Sequence, residues 1–132
     1  MEMNEVFQTL VQFPRYFYAG RSRSFIDVYN DTKYFELHES ITVPRLYEAL
    51  KQDPKCVEEW ALRSGDKRTT TGWYFNIEAD ASEIGFWDGH GIVKKQRFDD
   101  RFEACAEFIK KELEDVRNWY KPPPSLECRG TV

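Results

Sequence analysis

The sequence predicts an α+β domain: short N-terminal helices, a three-stranded antiparallel β-meander and a long C-terminal helix packed on the sheet. Three observations carry this. Apolar residues recur at helical spacing through the first half, as at Val43, Leu46, Tyr47 and Leu50. From Gly72 the period changes to two, with Trp73, Phe75 and Ile77 alternating with Tyr74, Asn76 and Glu78. After Phe98 helical spacing returns and holds to Tyr120.

The elements follow in order. Val6, Phe7 and Leu10 mark a first helix, which Pro14 is expected to stop. Tyr16, Phe17 and Tyr18 lead into a polar Gly20-Arg21-Ser22-Arg23 loop. Ser24 can cap a short helix with Phe25, Val28 and Tyr29 on one face, and helix is the preferred reading of residues 24–33. The same residues are strand formers, so a strand stays open. Thr42 is a good N-cap, and Pro44 sits early in the next helix, where its missing N–H does no harm. Pro54 ends that helix. Another follows with Val57, Trp60 and Ala61 inward, Glu58 and Glu59 outward, and Ser64-Gly65-Asp66 at its end.

Strands are expected over 73–77, 83–87 and 92–98, joined by turns at 78–82 and at Asp88-Gly89-His90-Gly91. Short connections make neighbouring strands antiparallel. Asp100 with Glu103 three residues later is a variant capping box. The helix that follows buries Phe102, Cys105, Ala106, Ile109, Leu113, Val116 and Tyr120, with Glu107, Lys110, Lys111, Glu114 and Arg117 off that face. Glu107 stands four before Lys111, the favourable order for an ion pair. A meander cannot bury its apolar face alone, so this helix is expected to cover it. Residues 1–121 read as one domain. Pro122-Pro123-Pro124 begins a flexible tail over 122–132.

Composition narrows the function. The chain has 132 residues and a net charge of -4, from 19 Lys and Arg against 23 Asp and Glu. That balance argues against nucleic acid, whose binders neutralise phosphates, and favours a basic partner. No apolar run approaches a membrane span, and Glu2 and Glu5 take the place of a basic leader. A cytoplasmic location is expected. Cys56, Cys105 and Cys128 are odd in number and widely spaced, fitting neither a disulfide framework nor a zinc pattern. Reduced thiols are the expectation.

Candidate chemistry is sparse. His38 reads as a surface or half-buried side chain. Asp88 and His90 share a turn, but two ligands do not make a metal site. No glycine-rich phosphate loop, serine elbow or paired-cysteine motif is present. Trp60, Trp73 and Trp119 sit at patterned positions and are expected to pack. A non-catalytic protein without metal or cofactor is therefore expected. The charge distribution says more. From Asn76 through Gly91 the chain carries Glu78, Asp80, Glu83 and Asp88 and no Lys or Arg. The plainer reading is a solvated sheet edge, charged against unwanted strand pairing. The functional reading is a docking surface for a basic protein, with Trp87 or Tyr74 as an aromatic anchor. Glu78, Asp80, Glu83, Trp87 and Asp88 are its candidate residues.

The order of elements, with the stretches Ser64-Gly65-Asp66-Lys67-Arg68-Thr69-Thr70-Thr71-Gly72-Trp73-Tyr74-Phe75 and Phe98-Asp99-Asp100-Arg101-Phe102-Glu103-Ala104-Cys105-Ala106-Glu107-Phe108-Ile109, resembles small bacterial immunity proteins. These are the antidotes to polymorphic or contact-dependent growth-inhibition toxins. The likeness spans roughly residues 60 to 115. It implies a cytosolic, non-catalytic protein, monomer or weak dimer, that binds one cognate toxin and covers its active site. Many such toxins are basic nucleases, which an acidic surface suits. No site residue carries over from the resemblance. Two other classes stay open: an adaptor or peptide-binding domain, and a small enzyme or metal-binding protein.

Overall fold

The computed structural model describes residues 2–18, 25–66 and 71–120. Helix α1 (Met3–Val11) turns Val6, Phe7, Leu10 and Val11 into the core. Gln12 interrupts it and α2 (Phe13–Tyr18) starts at once. Pro14 thus opens a second helix. It lies in the first turn, where no backbone N–H is missed. Over the described part of residues 24–33 helix is found: α3 (Phe25–Asp31) buries Val28 and Tyr29, and a separate α4 (Tyr34–Leu37) buries Tyr34. The expected cap Ser24 lies outside the described residues, as do Cys128 and the tail over 122–132.

Helix α5 (Val43–Gln52) has Thr42 at its N-cap and Pro44 in its first turn, as expected. The Thr42 side chain makes no capping bond. Its carbonyl accepts from the Leu46 N–H at 3.0 Å, so the cap is backbone only. Leu46 and Leu50 are fully buried. Helix α6 (Lys55–Asp66) follows Pro54 directly and buries Cys56, Val57 and Trp60. The Trp60 Nε1–H donates to the Val11 carbonyl at 2.9 Å, tying α6 to the end of α1. Ser64-Gly65-Asp66 are the last three residues of α6, as expected. A tertiary bond fixes that end, because buried Ser64 Oγ accepts from the Phe75 N–H at 2.7 Å.

The meander is as expected. Strands β1 (Gly72–Ile77), β2 (Ser82–Trp87) and β3 (Ile92–Phe98) pair antiparallel in the order β1-β2-β3. Trp73 opposes Phe86, and Phe75 opposes Ile84. Between Ile84 and Phe86 the register to β3 slips: Gln96 faces Ile84 and Val93 faces Phe86. One extra residue is therefore accommodated in β3, as a bulge. Lys94 takes it up with φ 55°, a left-handed conformation uncommon outside glycine.

Helix α7 (Arg101–Trp119) starts at Asp100, whose side chain accepts from the Phe102 N–H at 2.8 Å. The Tyr47 hydroxyl donates to the other carboxylate oxygen at 2.6 Å, so the cap also anchors α5. Cys105, Ala106, Ile109, Leu113 and Val116 are buried as expected. Ala104, Phe108 and Glu112 are buried too. The Phe108 ring lies 5.9 Å from Trp60 and stacks 5.8 Å from Phe75. The long helix thus sits between α6 and the sheet, which is why more than one face is covered. Trp119 is a correction: it is 60% exposed. It lies past Val116, the last buried position of α7. Lys111 does not pair with Glu107; its Nζ sits 4.9 Å over the Trp73 ring.

Candidate functional site

The sheet has two unlike faces. Phe75, Ile84 and their neighbours face α7. Alternation then puts Tyr74, Asn76, Glu83, Gly85 and Trp87 on the other face. Tyr74 lies flat across Gly85, its partner in the register. A Cβ at Gly85 would come 2.6 Å from Tyr74 Cε1, so only glycine fits there. The Tyr74 hydroxyl donates to Glu83 at 2.9 Å. Burial and this carboxylate both push the phenol's pKa up.

The five candidate residues fall into two groups. Glu78 and Glu83 flank Arg97 on β3, at 3.6 and 4.0 Å. Glu83 is only 15% exposed and is held by Tyr74, whereas Glu78 is 48% exposed. Asp80 is exposed in the turn beside them. Trp87 and Asp88 lie at the other end of β2, about 17 Å along the strand. Trp87 is half-buried. Asp88 is exposed, and its Oδ1 accepts from the His90 and Gly91 N–H groups at 2.8 and 2.9 Å. Those bonds hold its carboxyl below the usual range. The carboxylates therefore frame the face at both ends, with Tyr74 between and Trp87 beside Asp88. Arg97 enters one of the two groups, which the one-strand view of the sequence missed.

A second polar assembly was not legible in the sequence. Tyr34 is fully buried. Its hydroxyl donates to Glu114 Oε2 at 2.5 Å and accepts from Lys110 Nζ at 2.5 Å. Lys110 also donates to the His38 carbonyl at 2.8 Å, and Arg117 donates twice to Glu114 Oε1 and once to Oε2. Burial works against the Glu114 carboxylate. The bonds from Arg117 and Tyr34 and the nearby cations outweigh it, holding its pKa at about 2. Burial lowers Lys110 and raises Tyr34. This assembly locks α4 onto α7.

Buried charge also joins α6 to α7, where Arg63 reaches Glu112 at 3.5 Å and lies over the rings of Phe13, Phe25 and Trp60. Cys56 and Cys105 are buried free thiols. Burial pushes Cys56 up to about 12 and Cys105 well above its ordinary value. Among the described residues no group of three or more His, Cys, Asp or Glu could hold a metal ion, and no helix is long and apolar enough to cross a membrane. No family model, curated protein or solved structure matches this chain.

Proposed function

We propose that this chain is a cytosolic immunity protein that binds a basic cognate toxin domain, a nuclease in the favoured case, and neutralises it by covering its active site. The observation that carries the reading is the sheet face turned away from α7. Half-buried Trp87 lies on it, beside Tyr74, whose ring is buried against Gly85, and exposed carboxylates at Glu78, Asp80 and Asp88 frame it. The hairpin from Asn76 to Gly91 contributes no Lys or Arg of its own. An aromatic anchor, Trp87, beside a charged rim suits a protein interface. Separated carboxylates give a field that draws a basic partner in and speeds its docking. A surface of that sign also fits a site built for phosphates.

The test begins with the tagged chain recovered from its host with whatever binds it. The reading expects one stoichiometric basic protein, toxic when produced alone and harmless when this chain is produced with it. Asp80→Lys with Asp88→Lys, both at exposed turns, should then slow association and weaken its dependence on salt. Failure to neutralise any bound partner overturns the role. Neutralisation with an unchanged association rate in the double variant overturns the assigned face and keeps the role.

A further inference from the structure

Beside the second half of α7 the helix and the sheet part, leaving an open cleft of about 410 Å³. That size lies within the range of small-molecule sites. Trp73 and Phe86 line its sheet side, their rings edge-to-face at 5.3 Å. The wall on α7 carries Glu107, Lys111 and Asp115 at successive four-residue steps, each about 6 Å further along the helix. Lys94 contributes from β3. It projects from the bulge, in the left-handed conformation that bulges use to re-aim a side chain.

The charges in this cleft divide by commitment. Lys110 and Glu114 also line it, but they are held by Tyr34, the His38 carbonyl and Arg117. Lys111 rests over the Trp73 ring at 4.9 Å. Lys94, Glu107 and Asp115 stand around the aromatic floor, with Lys111 already over one of its rings. A ligand carrying only negative charge would meet Glu107 and Asp115. A ligand carrying only positive charge would meet Lys94 and Lys111. A ligand bearing an ammonium and a carboxylate on one carbon can meet one step of the helix ladder with each sign.

We propose that this cleft binds a small amphoteric aromatic molecule of the kind a free aromatic amino acid represents. The ring would lie on Trp73 and Phe86, taking the place of Lys111 over Trp73, with the anionic group toward Lys94 and the displaced Lys111 and the cationic group toward Glu107 or Asp115. This site is separate from the uncovered sheet face and stands whether or not the chain binds a toxin. The test titrates the intact protein with L-phenylalanine, 3-phenylpropionate and phenethylamine, following the Trp73 indole N–H by NMR. The site expects a saturable shift with L-phenylalanine, at least about tenfold tighter than with either single-charge probe. Lys94→Asn keeps a residue that tolerates positive φ, and combined with Lys111→Gln it should weaken L-phenylalanine binding about tenfold or more. Glu107→Gln combined with Asp115→Asn should weaken it while leaving 3-phenylpropionate no weaker. No saturation up to about 10 mM overturns the proposal. So does equal binding of all three probes, or an unchanged affinity in the folded double variant.

Discussion

Replacing Tyr34 with Phe removes one oxygen from a fully buried ring and leaves its volume almost unchanged. The hydroxyl makes two bonds to charged groups, with Glu114 and Lys110. A bond to a charged group contributes about 1.5–3 kcal/mol. Both ions keep other partners, since Lys110 still donates to the His38 carbonyl and Glu114 still accepts from Arg117. Neither is orphaned, so the expected cost is about 2–3 kcal/mol. The assay is urea unfolding at neutral pH. The midpoint should fall with an unchanged slope, because the same surface is exposed on unfolding. The pH dependence sharpens the test. A carboxyl held low in the fold stabilises above its unfolded value and loses that contribution as pH falls through its folded value. Glu114 falls from 4.5 to about 2, and the Tyr34 bond is one of the causes. Tyr34→Phe should raise it back toward 4.5, so the stability gap should narrow as pH falls through this window. An unchanged midpoint, or a gap constant down to pH 2, would refute the coupling of Tyr34 to Glu114.

Two more outcomes follow from buried groups. Ser64→Ala leaves the Phe75 N–H buried without its acceptor, so it should cost about 1–3 kcal/mol. Amide exchange at Phe75 should quicken, and an unaltered rate would mean that Ser64 does not seal that edge. Burial raises both core thiols, so Cys56 and Cys105 should resist a disulfide reagent at pH 8 until denaturant is added. Rapid reaction of either in the native protein, mapped by mass spectrometry, would contradict their placement.

Legibility in the sequence tracked the range of the interaction. The meander was readable because alternation and a glycine turn act between neighbours. The start of α7 was readable because Asp100 satisfies an N–H two residues away. The first helix ends before Pro14 as expected, but the immediate restart as α2 was not legible, because proline both stops helices and starts them. Phe108 and Glu112 escaped a single-face pattern because α7 is covered by both α6 and the sheet. The Tyr34 assembly joins residues 76 and 80 positions apart, with no local pattern at either end. On the candidate face the four carboxylates were visible in the hairpin. Arg97 between two of them was not, because the register of β3 decides it.

The two borders of the sheet are not equivalent, and this bears on self-assembly. Helix α6 lies against β1, and Ser64 takes up an outward N–H of that strand. Strand β3 is exposed from Ile92 to Arg97. Among the described residues a native molecule therefore offers one border for strand addition. Two copies joined there would use up both borders, so the pair closes and cannot lengthen into a fibre, which needs two growing sides on every unit. The bulge at Lys94 and the charges of Lys95 and Arg97 oppose even that pairing. Polymerisation of this chain through its sheet would first require α6 to leave β1, which ties its aggregation to partial unfolding.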